Sequence, residues 1–435
     1  MNSKYFYKSA LALAILGMAA CKPTIDTVVT PTKGNADFSR YIAIGNSLTS
    51  GYADNGLYLE GQQNSFPLMI GNQMKTVGGG EFSMPFFPAD KANGSGYLKF
   101  TGFDASGSPT LVPETNNLAV RFSGGGLTLF TKYTGDINNY GVPGIKLLHI
   151  TVPQYGNLNG YYERMLPNDA PNNTVPYLNF VTAKPFTFFS MWLGNNDILG
   201  YASSGGAGDT PTDKNTFTGL YNLAVSTLIK GGGSTGGAKG VVATIPDVTA
   251  TPYFRTVTLK SILAAVNATP AGASVTNIYI KTGANSTRVA TAADLFTLTL
   301  SSAPNKIGLP AANPYGLSPA NPIENQYVLD KDEVAVVNDY VTAYNNTIKS
   351  VANSQNIALV DANALLKEYG AGKWVNGVLV NGDFIKGNLF SLDGIHLTPM
   401  GYAITANAFI AAINAKYGSS IPTVDVTNYR GVKFP

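Results

Sequence analysis

The chain has 435 residues, of which 44% are hydrophobic and only 13% are charged. This composition is that of a folded, weakly charged protein with enough apolar mass for one large domain or two ordinary ones. The formal net charge is only +3 and the sequence contains no basic run, so it offers no electrostatic basis for binding nucleic acid.

The N-terminal segment has the pattern of a targeting sequence. Lys4 and Lys8 form a basic start, and residues 10–20 are apolar but too few to span a bilayer as a stable helix. Small residues precede Cys21, which is the only cysteine. The segment resembles a bacterial lipoprotein signal, and the alternative is an ordinary secretory signal followed by a chance cysteine.

The lipoprotein interpretation predicts that residues 1–20 are removed and that Cys21 carries the lipid. The protein is then expected in a bacterial cell envelope, attached to a membrane through Cys21. Residues 21–36 are predicted to be a tether, because they are rich in threonine and proline. A mature chain that begins at Cys21 would have no disulfide, so the core alone would have to stabilise it.

Short apolar runs that stop at a glycine, proline or aspartate predict buried strands. They occupy residues 41–44, 186–193, 240–245 and 357–360. Strands of this kind, separated by helices, are typical of a parallel sheet that is covered on both faces. The sequence therefore predicts one α/β domain over residues 37–418, followed by a C-terminal tail at residues 419–435.

Three amphipathic helices are predicted between and after these strands. One covers residues 216–230, with its apolar residues along one face. The second begins at Asp330, where Glu333 completes a capping box. The third begins after Thr398, a good N-cap that is followed by proline, and ends at Gly418.

Two stretches do not fit this alternation and are interpreted as insertions. Residues 77–135 are rich in Gly, Phe, Ser and Thr, with strand-like pieces at 118–122 and 127–133. Residues 256–325 combine a helix-like piece at 257–266 with Thr- and Pro-rich sequence. Because decorations of this size sit on loops above the sheet, both are expected to form the pocket walls that select the substrate.

Several turns contain residues that could carry chemistry. Ser47 lies in GNSL, directly after the first predicted strand, where an open parallel sheet binds its ligands. Asn196 lies in GNND after the second strand, and its amide could donate to a developing oxyanion. Gly144 ends the turn NYGVPG, where a backbone N–H can approach a ligand closely. Taken singly, these are also ordinary turn residues.

The C-terminal part adds an acid–base pair. His396 is one of only two histidines in the chain, and Asp393 precedes it by three residues. At that spacing the carboxylate can orient the imidazole within one loop. The other histidine, His149, is expected to be structural because it lies in an apolar stretch.

The order of these turns resembles the SGNH (GDSL-type) hydrolase family, whose four blocks carry Ser, Gly, Asn and His. The resemblance covers roughly residues 38–417 and implies a flavodoxin-like, three-layer α/β/α sandwich with a parallel sheet and two large insertions. The family usually has Asp before the serine, and this chain has Asn46 there.

Roles follow from the resemblance for each matching residue. Ser47 would be the nucleophile, His396 the general base, and Asp393 the group that orients His396. The oxyanion hole would consist of the backbone N–H groups of Ser47 and Gly144 and the side-chain amide of Asn196.

The resemblance implies a serine hydrolase that cleaves a carboxylic ester through an acyl-enzyme, without a metal or organic cofactor. The expected substrate is a lipid or an acylated carbohydrate. Two other interpretations remain open. One is a non-catalytic surface lipoprotein that binds glycan or protein on the same scaffold. The other is an acyltransferase that passes the acyl group to a sugar hydroxyl.

Overall fold

Five parallel strands form the central sheet, in the order β2-β1-β3-β4-β5. They are β1 (Tyr41–Gly45), β2 (Asn139–Gly141), β3 (Phe188–Trp192), β4 (Lys239–Ala243) and β5 (Ala358–Val360). This order is the flavodoxin-like one, so the predicted fold class is confirmed. Four of the strands lie where the sequence predicted them, whereas β2 was predicted only as a turn.

The structure is a computed structural model that describes residues 30–105, 107–269 and 274–435. The expected signal segment, most of the expected tether and the lipidation site Cys21 lie outside the described residues. Residues Thr32–Pro435 form one compact unit. No helix within the described ranges is both long and apolar enough to cross a membrane.

Helices cover both faces of the sheet. The α-helices of the described residues are α1 (Ser47–Ser50), α2 (Leu59–Gln63), α3 (Phe66–Lys75), α4 (Gly160–Glu163), α5 (Tyr177–Val181), α6 (Asn196–Ser203), α7 (Lys214–Leu228), α8 (Pro252–Arg255), α9 (Leu259–Asn267), α10 (Lys331–Ser354), α11 (Ala362–Ala371) and α12 (Pro399–Tyr417). Helices α6, α7 and α10 share one hydrophobic core with the sheet, and α3 and α12 share a second core on its other face.

Alternation along β1 shows how the two cores are separated. Ile42 and Ile44 belong to the core under α7 and α10, whereas Tyr41 and Ala43 belong to the core under α3 and α12. Successive side chains of a strand point to opposite faces. A strand that is apolar at every position is therefore buried on both sides, as the sequence predicted.

The two clearest helix starts are confirmed. The Asp330 side chain accepts from the N–H groups of Asp332 and Glu333, while the Glu333 carboxylate accepts from the Asp330 N–H at 2.8 Å. At the start of α12, the Thr398 hydroxyl accepts from the Gly401 N–H at 3.1 Å. Both caps satisfy N–H groups that a first helical turn leaves without partners.

The remaining strands form antiparallel pairs outside the central sheet. These pairs are Tyr97–Phe103 with Pro109–Glu114, Val120–Gly124 with Leu127–Phe130, Tyr279–Lys281 with Thr287–Val289, Leu295–Phe296 with Val328–Leu329, and Lys373–Val375 with Val378–Val380. The first two pairs lie within residues 77–135. The stretch 256–325 contributes most of a small separate core, which includes Ile280 and Phe296.

The ends of the described unit pack onto the domain. The Asn35 N–H donates to the Tyr417 carbonyl at 2.8 Å, and Ala36 is buried. In the expected C-terminal tail, Ile421 and Val424 are buried in the core that also contains α12. Residues 35–36 and 421–424 are therefore part of the folded unit, although they lie outside the predicted domain at residues 37–418.

Candidate active site

Ser47 is the first residue of α1, which starts immediately after β1. The side chain of Asn46 caps this helix, because its Oδ1 accepts from the Leu48 N–H at 3.0 Å. Gly45 permits the sharp turn, since a Cβ there would lie 1.9 Å from the Thr49 hydroxyl oxygen. The turn places the Ser47 hydroxyl at the carboxyl edge of the sheet, where ligands bind in this fold.

Asn46 performs the capping role with an amide. Its Nδ2 is buried and has no hydrogen-bond partner within the described part of the chain. A carboxylate could therefore accept the same Leu48 N–H, so this geometry does not require the uncharged residue.

His396 joins Ser47 to Asp393. Its Nε2 lies 2.8 Å from Ser47 Oγ, although the two residues are 349 positions apart in the chain. Its Nδ1 lies 2.9 Å from Asp393 Oδ2. The ring of Tyr52 packs against the imidazole with 4.6 Å between ring centroids. The three residues that the sequence singled out as nucleophile, base and orienting acid are thus brought together in one hydrogen-bonded chain.

The Asp393 carboxylate is held by donors on all sides. Oδ1 accepts from the N–H groups of Ile395 and His396 at 2.8 Å each and from the Ser391 hydroxyl at 3.3 Å. Oδ2 accepts from the Asn55 N–H at 2.9 Å and faces His396. Burial by itself raises the pKa of Asp393, but the attraction of His396 and these hydrogen bonds outweigh it and hold the pKa below its usual range.

A second buried carboxylate, Asp54, supports this loop and was missed in the sequence. Its Oδ1 accepts from the Leu392 N–H at 3.0 Å and its Oδ2 accepts from the Tyr58 hydroxyl at 2.7 Å. Asp54 and Asn55 both have left-handed backbones, with φ of 53° and 62°. That turn directs the Asn55 N–H onto Asp393. The local signal is the sequence ADNG, which by itself indicates only a turn.

Gly144 lies in the loop after β2, and Asn196 is the first residue of α6, which follows β3. The Gly144 backbone is left-handed, with φ of 80°, and the residue is exposed. The Asn196 Nδ2 donates to the Ile145 carbonyl at 2.9 Å. An amide nitrogen carries two hydrogens, so the second remains for a ligand. Both residues line the same cavity as Ser47 and His396, which is consistent with the predicted oxyanion hole.

Asp197 connects the start of α6 to the loop after β2. Its carboxylate accepts from the N–H groups of Leu147 and Leu148 at 2.7 and 3.3 Å and from the Thr212 hydroxyl at 2.7 Å. Burial raises its pKa to about 6. Asp197 therefore holds the chain just after Gly144 against the start of α6, next to Asn196.

Two cavities meet at Ser47 and His396. The larger has a volume of about 550 Å³ and the smaller of about 40 Å³. The stretch 77–135 lines the larger cavity through Ser95 and residues 126–128 and 130. The described residues of the stretch 256–325 line neither cavity, which corrects the expectation that both insertions form the walls. That stretch folds mainly around its own core instead.

His149 lies away from both cavities. Its ring stacks on Tyr155 with 4.4 Å between centroids, and its Nδ1 accepts from the Lys146 N–H at 3.2 Å. Burial lowers the pKa of His149. Within the described ranges, no group of three His, Cys, Asp or Glu side chains is placed to hold a metal ion.

The chain was compared with known proteins. The family described as GDSL-like Lipase/Acylhydrolase matches residues 41–409. Among solved structures, the chain is similar to LAE5, an alpha/beta hydrolase from the metagenome of Lake Arreo, Spain, at 11% identity over 87% of this chain and 96% of that one, with a TM-score of 0.36. It is also similar to an extracellular lipase from Streptomyces rimosus, at 10% identity over 87% of this chain and 99% of that one, with a TM-score of 0.32.

No curated protein matches the chain. The family match spans most of the sequence, and it includes Ser47, Gly144, Asn196, Asp393 and His396. The chain therefore belongs to the GDSL-like lipase/acylhydrolase family.

Proposed function

We propose that the protein is a serine hydrolase that cleaves a carboxylic ester through an acyl-enzyme. The observation that carries this proposal is the chain of hydrogen bonds from Ser47 through His396 to Asp393, with heavy-atom distances of 2.8 and 2.9 Å. Those distances are within the range for transfer of a proton between nucleophile and base. Ser47 and His396 line a cavity of about 550 Å³, which is large enough for a small-molecule substrate.

The first half of the reaction acylates the enzyme. Ser47 Oγ attacks the ester carbonyl carbon while its proton passes to His396 Nε2, and the negative charge develops on the carbonyl oxygen. The bond to the alcohol oxygen then breaks, and His396 returns the proton to the departing alcohol. Asp393 keeps a proton on Nδ1, so that Nε2 is free to accept one.

The second half restores the enzyme. A water molecule gives a proton to His396 Nε2 and attacks the acyl carbon, and the bond to Ser47 Oγ breaks as the proton returns to that oxygen. The products are the alcohol and the carboxylic acid. In both halves, the proposed donors to the developing oxyanion are the N–H groups of Ser47 and Gly144 and the amide of Asn196. Such stabilisation is the largest single contribution in many enzymes.

The proposal is tested with 4-nitrophenyl esters from acetate to decanoate and with a serine-directed phosphonate. We expect wild-type protein to hydrolyse at least one ester and to carry the phosphonate on Ser47, as mapped by peptide mass spectrometry. The variant His396→Ala should hydrolyse the esters and react with the phosphonate much more slowly than wild type. Equal rates for wild type and variant on every ester, together with an unlabelled Ser47, would exclude the hydrolase.

Removing the Asn196 amide tests the oxyanion hole. Asn196→Ala is expected to lower kcat by about 10²- to 10³-fold with little change in KM, because the lost donor acts mainly in the transition state. The control is Asn222→Ala, which removes an exposed amide that donates only to the Thr218 carbonyl on α7. A change confined to KM, or equal losses in the two variants, would contradict this role.

We also propose that Cys21 anchors the protein in a bacterial cell envelope. The support is the basic start, the short apolar run and the small residues before Cys21. Cys21→Ser is expected to move the protein expressed in bacteria from the membrane fraction to the soluble fraction. Mass spectrometry of the mature N-terminal peptide checks the modification directly, and an unmodified thiol at Cys21 of the wild-type protein would end the proposal.

A further inference from the structure

The two cavities at the catalytic serine are very different in size. Ser47, Asn196, Leu199 and His396 line both of them. An ester bound with its carbonyl carbon at Ser47 Oγ therefore has one part on each side of this junction. The volumes and walls of the two cavities then decide which part is the acyl group and which is the alcohol.

The smaller cavity is apolar and less open than the larger one. Its volume is about 40 Å³, and its walls include Val248, Leu366, Phe390 and Ile395. One water molecule needs about 10–15 Å³ of such a cavity, and a methylene group is of similar size. The cavity therefore has room for roughly three carbon atoms beyond the carbonyl. Val248 and Phe390 are themselves buried in the two main cores. Close packing there leaves the walls little freedom to retreat.

The larger cavity is open, and the described residues of its walls include no acidic or basic side chain other than His396. Among the described residues, no Asp, Glu, Lys or Arg lines it. Phosphate groups are usually bound by Arg or Lys, so a phosphorylated alcohol would find no counter-charge. The surrounding polar groups are amides and hydroxyls, including those of Asn55, Ser95 and Thr128.

Aromatic rings complete the wall of the larger cavity. Phe130 and Tyr161 stack with 4.6 Å between centroids, and Tyr52 packs edge-on to Tyr161 at 6.4 Å. Flat rings offer apolar faces to the C–H faces of a ligand, while the nearby amides and hydroxyls can bond its hydroxyl groups. A hydroxylated alcohol can add hydrogen bonds to these amides and hydroxyls, whereas a purely apolar alcohol cannot.

We propose that the substrate is a short-chain ester, with an acyl group of about two to four carbons, of an uncharged polyhydroxylated alcohol such as a sugar. This inference rests on the hydrolase function proposed above. The acyl group occupies the small apolar cavity and the alcohol occupies the large one. Hydrolysis consumes one water and releases the short carboxylic acid and the free hydroxyl group of the polyol.

The acyl side is tested with 4-nitrophenyl acetate, butyrate and octanoate. We expect kcat/KM on butyrate to exceed that on octanoate by at least about tenfold. Leu366→Ala, which widens the small cavity from a half-buried position, should raise the octanoate-to-acetate ratio by about tenfold. Leu366→Phe should narrow the cavity and reduce activity on butyrate more than on acetate.

Leu365→Ala is the matched control for these variants. Leu365 is the preceding residue on α11, packs against the same core as Leu366 and lines neither cavity. It should leave the acyl preference unchanged. Thermal melting of both alanine variants separates a change of preference from a general loss of folded protein. An octanoate-to-acetate ratio that is the same in Leu366→Ala as in wild type would overturn the assignment of the acyl group to this cavity.

The alcohol side is tested with 1-acetylglycerol and 1-acetylglycerol 3-phosphate, which share the acyl group and differ only in the phosphate. We expect the neutral ester to be hydrolysed at least about tenfold faster, because the cavity walls offer no lysine or arginine to the phosphate. Faster hydrolysis of the phosphorylated ester, or of octanoate over butyrate, would overturn this inference and leave the hydrolase intact. Absence of any hydrolysis, with Ser47 unlabelled by phosphonate, would remove both.

Discussion

Ser47→Ala is expected to lower kcat on the best ester substrate by about 10⁴- to 10⁶-fold. Without the hydroxyl no acyl-enzyme can form, and His396 is left with no nucleophile within reach. Any remaining rate would come from binding and from the oxyanion donors acting on water. The measurement is steady-state hydrolysis of 4-nitrophenyl esters, followed by a search for the covalent acyl-enzyme by intact-protein mass spectrometry.

Ser50→Ala is the control for this variant. Ser50 lies in the same short helix and is also buried, but its hydroxyl donates to the Ser47 carbonyl at 2.9 Å and does not contact His396. It should keep activity within about tenfold of wild type, a change of roughly 1.4 kcal/mol in the barrier. If Ser47→Ala retained a similar level of activity, Ser47 would not be the nucleophile.

Asp393→Asn is expected to lower kcat by about 10⁴-fold with the fold preserved at neutral pH. Both carboxylate oxygens of Asp393 face N–H groups. The NH₂ group of an asparagine would therefore face at least one N–H group, to which it cannot serve as an acceptor. If it faces His396, it stabilises the tautomer with the proton on Nε2, which cannot act as a base. If it faces the N–H groups of Ile395 and His396, the loop itself loses hydrogen bonds.

The pH dependence of stability separates this variant from wild type. The pKa of Asp393 is lower in the folded protein than in the unfolded chain, where it is about 3.9. Its carboxylate therefore stabilises the fold above about pH 3.9, and this contribution disappears as the pH falls through the folded-state pKa. The difference in Tm between wild type and Asp393→Asn is expected to shrink from about pH 5 towards pH 2.

Asp425→Asn provides the same chemical change at a distant helix cap. Asp425 accepts from the Thr427 N–H at 3.0 Å and lines neither cavity at Ser47. It should leave kcat unchanged. A loss of activity in Asp393→Asn no greater than in Asp425→Asn would show that Asp393 does not orient His396.

Strands and helices were predicted correctly where residues that are neighbours in sequence determine them. The run at residues 41–44 is apolar throughout and stops at a glycine, and Asp330 and Thr398 are capping residues whose effect needs only the next turn of helix. Strand β2 was read as a turn because it has three residues, too few for a periodic pattern. It is a strand only because it pairs with β1.

The supporting residues of the site could not be predicted for a related reason. The Asn55 N–H reaches Asp393 across 338 positions of sequence, and Asp54 holds Leu392 across the same separation. Nothing near either residue identifies its partner. Asp197 was read only as part of a turn, yet it binds the chain that follows Gly144.

The sequence by itself determined which groups can react, because a nucleophilic hydroxyl, an imidazole and a carboxylate are properties of the residues and their order along the chain is readable. Only the tertiary structure decided that Ser47 and His396 lie 2.8 Å apart, since that distance depends on how β1 and the loop before α12 pack on one sheet. It also decided the size of the two cavities. Each cavity is lined by side chains that are distant in sequence and close in space, so no local sequence pattern predicts its volume.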